Sequence, residues 1–314
     1  MARNTAVSGL GENLDGYLAL RRSLGHDLAD AGRLLPRFVS YLNDRGVTTI
    51  TTVVALEWAL LPVGVAPTTI WSRRMTAVRG FARYMSGIDP ATQVPPVGLV
   101  PYRQRWKPPF IYALTDIERL FTEADNSIVS PLRRATIKTM LGLLAVTGMR
   151  IGEVIRLDRS DIDWETGVIL VRETKFLKTR YVPLHPSTIR ALTDYAGLRD
   201  EFKVQSGNES FFLSLKGKRV IYADFRGTHR RLCTDAGIGA GSLVSPRIHD
   251  LRHTFAIETL LRWYRNGSPV QTQVQWLSTY LGHRDPRSTY WYLSAAPELL
   301  AFAAGLLETI ETSK

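Results

Sequence analysis

The sequence is poor in cysteine and has no long apolar run, and both absences exclude whole classes of protein. One cysteine, Cys233, stands among 314 residues, so no internal disulfide can form and a catalytic thiol is not expected. No stretch approaches the roughly 18 apolar residues of a membrane span, and the N-terminus has no continuous apolar signal region. We therefore expect a protein of the reducing cytoplasm.

Acidic residues are outnumbered by basic ones. Lysine and arginine total 40 against 29 for aspartate and glutamate, which gives a formal net charge of +11. This excess favours a polyanionic partner, because basic side chains that bind nucleic acid release its counterions. A basic enzyme with no such partner would have the same balance. The apolar fraction of 45 % excludes general disorder, and the length indicates two domains.

The side chains of two segments near the C-terminus suit a phosphate site. HDLRHTFA at 249–256 and YLGHRDPRSTYWYLS at 280–294 supply histidine, arginine and tyrosine without an acidic pair or a glycine-rich loop nearby. A tyrosine hydroxyl is a weak nucleophile at neutral pH, so it needs cations around the phosphate that it attacks. Arginine suits this role because its planar fork holds two oxygens. A second arginine is available in TGMRIGEVIRL, where we expect Arg150 to pair with Glu153.

Helical spacing brings the candidate phosphate ligands together. On the helix that the apolar pattern predicts over 249–264, His249 and Arg252 are three residues apart and share one face. They can therefore reach one anion together. Gly282 is expected to end the next helix and to leave His283 at a turn.

An ordered set of motifs can now be assembled. Its members are Arg150 in TGMRIGEV, Lys175 in VRETKFLKTRYVPL, His249 and Arg252 in HDLRH, His283 in LGHRD and Tyr292 in STYWYL. In order, spacing and flanking residues the set resembles the active site of the tyrosine recombinases, the phage-integrase and Xer-type family. The resemblance covers roughly residues 112–295. Trp291 and the Leu-Ser pair that follows Tyr292 are less usual in that family.

The resemblance implies a covalent mechanism on DNA. Tyr292 would attack the scissile phosphate and leave a 3′-phosphotyrosyl link with a free 5′-hydroxyl, so that rejoining needs no ATP. The two arginines would neutralise the non-bridging oxygens, and Lys175 would protonate the departing 5′-oxygen. The two histidines would donate hydrogen bonds to the phosphate, with His249 the better candidate for accepting the tyrosine proton.

Two of these assignments have rivals close by. Tyr290 and Tyr292 point about 200° apart on a helix, so only one can face the phosphate. The family's nine-residue offset from His283 selects Tyr292. Lys178 lies in the same turn as Lys175, and the family's distance to the following Pro-Leu pair favours Lys175.

A metal site is the alternative for the histidines. His249 and His253 are four residues apart on the predicted helix, but Asp250 stands where the HExxH motif has glutamate, and no third ligand is evident. We therefore expect no metal and no cofactor, and we expect His253 to pack structurally.

Residues 12–87 are predicted to be helical with short breaks. A helix that opens at Pro67 has one apolar face, and Arg73, Arg79 and Arg83 lie off that face. These arginines are candidate DNA contacts, although solvated arginines would have the same pattern.

Residues 88–111 contain six prolines, a density that prevents regular helix or central strand. The segment also carries a basic cluster that could follow a DNA backbone or simply be solvated: Arg103, Arg105 and Lys107. The sequence thus predicts a helical N-terminal DNA-binding (core-binding) domain over residues 1–94 and a Pro-rich basic linker over 95–111. A catalytic domain follows over residues 112–314.

The second domain is predicted to be α+β. A capping signature at Thr115 begins it, helices follow at about 131–146 and 151–157, and β-branched runs over 161–184 predict two hairpins in a three-stranded sheet. The fold class expected is mainly α with a small antiparallel β-sheet.

The expected function is site-specific recombination or integration of DNA, on a mobile element, through a homotetramer and a Holliday junction. Double-stranded DNA with paired sites would be the partner, with accessory or partner recombinases, and the protein would lie at the prokaryotic nucleoid. Alternatives are a type IB topoisomerase, which acts as a monomer, and a catalytically idle DNA-binding regulator. The apolar stripe over 297–310 predicts a C-terminal helix that packs in its own domain or in a neighbouring subunit.

Overall fold

The chain divides into two compact units, residues 1–106 and 107–314, each with its own apolar core. This arrangement comes from a computed structural model that describes residues 3–61, 69–100, 108–174, 178–202, 208–283, 285 and 289–292. The division between the units falls inside the proline-rich segment 95–111.

The first unit is built from helices. They are α1 (Arg3–Ser23), α2 (Ala29–Asp44), α3 (Thr52–Ala59) and α4 (Thr69–Met85). Apolar residues three and four apart put one stripe of each long helix into the core, where Phe38 of α2 and Phe81 of α4 are fully buried. The predicted apolar face of α4 is confirmed, since Met75, Val78 and Met85 are buried.

The second unit combines helices with a small sheet, which confirms the predicted fold class. Its helices are α5 (Leu114–Ser127), α6 (Pro131–Thr147), α7 (Ile151–Arg156), α8 (Pro186–Glu201), α9 (Tyr222–Asp235), α10 (Ile248–Arg265) and α11 (Val270–Leu281). Helix α6 lies at the centre of the unit and packs against α5, α8 and α10.

The sheet has three antiparallel strands in the order β1 (Ile162–Asp163), β2 (Val168–Thr174) and β3 (Lys178–Pro183). Val168 pairs with Pro183 and Val171 with Arg180, so the two predicted hairpins are confirmed. Lys175 therefore lies in the sequence between the end of β2 and the start of β3.

The predicted helix ends are mostly confirmed. Helix α6 begins after its N-cap Ser130 with Pro131 as first residue, and α11 ends at Gly282 in the left-handed conformation that glycine favours. The capping signature at Thr115 is wrong by two residues. Helix α5 has Ala113 as its N-cap, and the Asp116 carboxylate accepts the Ala113 N–H at 2.9 Å. Asp116 is thus the residue that caps α5, as the third residue of the helix.

Three predicted features lie outside the described residues: Lys175, the basic cluster of Arg103, Arg105 and Lys107, and the helix over 297–310. Within the described part of the chain, no helix is both long enough and apolar enough to cross a membrane.

Candidate active site

The turn between α6 and α7 fixes the first candidate arginine. Gly148 ends α6 with a positive φ of 60°, and a Cβ there would lie 2.5 Å from the Phe255 ring, so the turn requires glycine for both conformation and space. Arg150 follows as the N-cap of α7, and its guanidinium donates to Glu153 Oε1 and to the Gly282 carbonyl, both at 2.9 Å. The predicted pairing of Arg150 with Glu153 is confirmed.

The second candidate arginine is buried. Arg252 on α10 is 2 % exposed, and its two terminal nitrogens donate to the Gly148 carbonyl at 2.8 Å and to the Leu281 carbonyl at 2.6 Å. Burial, together with the charge of Arg150, lowers the pKa of Arg252 to about 10, so the side chain stays charged at neutral pH. The guanidinium thus joins the ends of α6 and α11.

Helix C-termini accept these positive charges. The carbonyls of Gly148, Leu281 and Gly282 all lie where a helix ends, and no further turn of helix can use them. The C-terminal end of a helix carries partial negative charge, which stabilises a nearby cation. Backbone geometry therefore offsets the repulsion between Arg150 and Arg252.

Arg180 is a third arginine of the site, and sequence reasoning missed it. Its guanidinium binds both carboxylate oxygens of Glu153 at 3.0 and 2.7 Å, and its Nε donates to the Tyr280 carbonyl at 2.8 Å. Burial alone would raise the pKa of Glu153, but hydrogen bonds and charge from Arg180, with bonds from Arg150, lower it to about 2. Strand β3 is thereby attached to α7 and to the end of α11.

Tyr292 faces this site and Tyr290 does not. The Tyr292 side chain is 2 % exposed and packs with the apolar residues of α10 and α11, whereas Tyr290 is 42 % exposed. Burial raises the pKa of the Tyr292 hydroxyl, while the charge and a hydrogen bond of Arg252 act in the opposite direction. The two phenols therefore occupy different environments.

The expected packing of His253 is confirmed, and its ring also contacts the Tyr292 hydroxyl. Its Nδ1 lies 3.1 Å from Tyr292 Oη, within hydrogen-bond distance, and its ring also packs against Trp291. His249, the predicted proton acceptor, packs edge-on against His253 with 4.7 Å between ring centroids. Helical spacing had already brought His249 and His253 together, but Tyr292 is 39 residues further along the chain and its contact needed the tertiary fold.

The histidines are neutral in this environment. Burial and then the charge of Arg252 lower the pKa of His249 and bring that of His283 to about 3. The His283 ring stacks on Tyr292 at a centroid distance of 6.2 Å, and its Nδ1 lies 2.7 Å from the hydroxyl of Thr289, a fully buried residue that the sequence did not single out. Neutral imidazoles can donate one hydrogen bond and accept another.

The site suits an anion. Arg150 and Arg180 share the Glu153 carboxylate, and Arg252 binds only backbone carbonyls, so the cluster keeps a net positive charge beside neutral imidazoles and a phenol. Asp250 is turned away from the histidines, since its carboxylate accepts the Arg247 backbone N–H at 2.9 Å and pairs with the Arg247 guanidinium. Among the described residues no group of three His, Cys, Asp or Glu side chains is arranged to hold a metal.

The described candidate DNA contacts lie on α4 in the first unit. Arg73 pairs with Asp30 at 2.7 Å, Arg79 donates to the Pro95 and Pro96 carbonyls at 2.8 Å, and Arg83 is exposed. These hydrogen bonds from Arg79 connect α4 to the start of the proline-rich segment.

Comparison with known proteins places this arrangement in a family. Residues 113–298 match the phage integrase family. The integrase/recombinase y4rB of Sinorhizobium fredii is 39 % identical over 298 residues, 93 % of this chain and 95 % of that protein. Tyrosine recombinase XerD of Oceanobacillus iheyensis is 26 % identical and covers 88 % of this chain and 90 % of its own length. The chain therefore belongs to the phage integrase family and is a tyrosine recombinase.

Solved structures have the same fold. The Tn1549 transposon integrase in complex with transposon right-end DNA has a TM-score of 0.64 at 18 % identity and covers 95 % of this chain and 99 % of that one. XerH site-specific recombinase bound to difH DNA has a TM-score of 0.62 at 22 % identity, with coverage of 86 % and 77 %.

Proposed function

We propose that this recombinase cleaves and rejoins DNA through a 3′-phosphotyrosine link on Tyr292. The observation that carries the proposal is the position of the Tyr292 phenol. It is buried in a site where the charges of Arg252 and Arg150 act on it. Cations at that position would stabilise the negative charge that builds on a phosphate under attack.

Each group has a role in the proposed reaction. Arg150 and Arg252 neutralise the two non-bridging oxygens, and His249 and His283 donate hydrogen bonds to them. Glu153 and Arg180 position Arg150 and the end of α11. Lys175, which precedes β3 in the sequence, protonates the departing 5′-oxygen. The phosphodiester energy is kept in the tyrosine link, so the reverse attack by a 5′-hydroxyl restores DNA.

The proposal extends to recombination between paired sites in a homotetramer, through a Holliday junction. The names of the curated relatives support the recombination, since y4rB is called an integrase/recombinase and XerD a tyrosine recombinase. The proposal includes a mobile-element role, in which accessory or partner recombinases would be recruited to the same DNA. Residues 1–94 serve as the DNA-binding (core-binding) domain and residues 95–111 as the linker. The proposed contacts to the DNA backbone are Arg73, Arg79, Arg83, Arg103, Arg105 and Lys107.

Covalent trapping tests the proposal. The protein is incubated with fragments of the genome that encodes it, denatured, and the DNA that stays attached is sequenced to define a site. A suicide duplex nicked beside that site should then give a covalent protein–DNA band. Tyr292→Phe should lose the band and keep half-site binding, while Tyr290→Phe should keep both. A band that persists in Tyr292→Phe would refute the assignment.

Two-site DNA separates recombination from relaxation alone. On a supercoiled plasmid with two copies of the trapped site, the recombinase should produce exchanged products and a junction intermediate. Relaxation without exchange would favour a topoisomerase, and binding without any covalent product would favour an idle regulator.

A further inference from the structure

The hydroxyl of Tyr292 has a hydrogen-bond partner that the sequence did not assign. His253 Nδ1 lies 3.1 Å from Tyr292 Oη. We infer that His253 is the catalytic residue that takes the Tyr292 proton as the tyrosine attacks phosphate. The inference rests on the proposed function, because it assigns one step of that reaction.

The His253 ring is held in place by rings around it. His249 packs edge-on at 4.7 Å between centroids, Trp291 lies at 5.4 Å and Tyr292 at 5.5 Å with the planes inclined by about 60°. Aromatic pairs at such distances and angles pack favourably. His253 Nδ1 is therefore held against Tyr292 Oη by packing as well as by the hydrogen bond.

One helix carries both this acceptor and a phosphate ligand. His253 follows Arg252 on α10, and Arg252 is fixed by the Gly148 and Leu281 carbonyls. A side chain set on a rigid, hydrogen-bonded helix keeps its position within the tolerance that catalysis demands. The distance between the proton acceptor and the bound phosphate is thereby set by adjacent residues.

The proton balance of the step is simple. The Tyr292 O–P bond forms as the bond from phosphorus to the 5′-oxygen breaks, and the phenolic proton moves to His253 Nδ1. The 5′-oxygen leaves with a proton from Lys175 in the proposed mechanism. In the reverse reaction His253 returns its proton to Tyr292, and Lys175 recovers its own from the 5′-hydroxyl.

Charge controls when His253 can act. Burial, together with His249, Arg247, Arg252 and His283, lowers the pKa of His253 to about 3, so its ring is neutral and able to accept a proton at neutral pH. The charges of Arg247 and Arg252 also oppose protonation of His253 while the site holds no anion. A phosphodiester bound to the arginines offsets their charge and makes the ring more basic. The acceptor therefore becomes effective when DNA is in place.

Two substitutions distinguish a proton acceptor from a residue that only holds the phenol. His253→Gln keeps a group that can hydrogen-bond Tyr292 but cannot take its proton, and His253→Ala leaves space for imidazole from solution. Single-turnover cleavage of the suicide duplex is measured on protein already bound to DNA, so only folded protein counts. His185→Ser is the matched control, because His185 is an exposed N-cap residue of α8 and serine caps helices well.

We expect both His253 variants to cleave about 10²-fold or more slowly with half-site binding unchanged, and imidazole to restore part of the rate to His253→Ala. The inference would be overturned if His253→Gln cleaved at the wild-type rate. It would also be overturned if imidazole restored the rate of His249→Ala but not that of His253→Ala. In both cases the proposed function would stand. Absence of any covalent band from the wild-type protein would instead refute the proposed function.

Discussion

The two sides of the candidate site are held in different ways. The cationic side consists of Arg150, Arg180 and Arg252 with Glu153. In it every guanidinium has at least two hydrogen bonds to backbone carbonyls or to the carboxylate.

The imidazole side consists of His249, His253 and His283 with Tyr292. There His253 contacts the Tyr292 hydroxyl and His283 contacts the Thr289 hydroxyl.

This difference indicates a division of tasks. The fold places the positive charge before DNA arrives and uses the ends of α6 and α11 to hold it, so changes on the cationic side should affect stability and catalysis together. In the proposed reaction, proton transfer depends on single contacts between side chains. Changes on the imidazole side that keep the ring, such as Tyr292→Phe, should therefore affect catalysis and leave stability nearly unchanged.

The largest effect is expected at Lys175, which would supply the acid of the proposed reaction. Lys175→Ala should cleave a normal 5′-oxygen substrate about 10²- to 10⁴-fold more slowly, because the leaving group then departs unprotonated. A 5′-bridging phosphorothiolate, whose sulfur needs no proton, should be cleaved at nearly the wild-type rate. Lys178→Ala is the matched control, and equal loss on both substrates would remove Lys175 from this role.

Arg252→Lys breaks the cationic side without removing its charge. One ammonium cannot bridge the Gly148 and Leu281 carbonyls and also bind phosphate as a planar fork does. Cleavage should slow about 10²- to 10³-fold, the usual loss when a preorganised group at a developing anion is removed, and the melting temperature should fall. Single-turnover assays and thermal melts measure both, and a variant with unchanged cleavage would contradict the account.

Glu153→Gln tests how the cationic side depends on pH. The folded-state pKa of Glu153, about 2, is below its ordinary value of 4.5, so its contribution to stability is present above pH 4.5 and lost as pH falls towards 2. The variant should lose about 1–3 kcal/mol at neutral pH and show a weaker pH dependence of unfolding in that window. Denaturant titrations at several pH values measure it, with the exposed Glu165→Gln as control. An unchanged profile would show that Glu153 is not the titrating group.

The smallest expected effect is that of chelation. Because the arginines supply the charge that a metal would otherwise provide, cleavage should be the same with and without EDTA. Loss of activity in EDTA that a divalent ion restores would mean that the cationic side is insufficient.

Local patterns predicted the elements that carry the site. Helical spacing predicted α10 with His249 and Arg252 on it, and a glycine predicted the end of α11. The β-branched runs predicted the hairpin of β2 and β3, which carries Arg180. The exact start of α5 is harder to predict. Both Thr115 and Ala113 can precede a first helical turn, and the structure has Ala113 as the N-cap.

Contacts across the fold could not be predicted in this way. Arg180 lies 100 residues from the Tyr280 carbonyl that it binds, and that acceptor is backbone, which any residue type supplies. The position of His253 on α10 predicts only packing, because packing is the common role of such a residue. Its contact with Tyr292 depends on how the chain after α11 returns to α10.

The most direct test of the account is to locate the phosphate bond on the chain. Trypsin should release residues 288–314 as one DNA-linked peptide, since no lysine or arginine lies between Arg287 and Lys314. After nuclease digestion, fragmentation by mass spectrometry distinguishes Tyr290 from Tyr292, and end-labelled DNA identifies the attached strand end. The account predicts a bond from Tyr292 to the 3′-phosphate of the cleaved strand. A bond at Tyr290, or a link to the 5′-end, would contradict it.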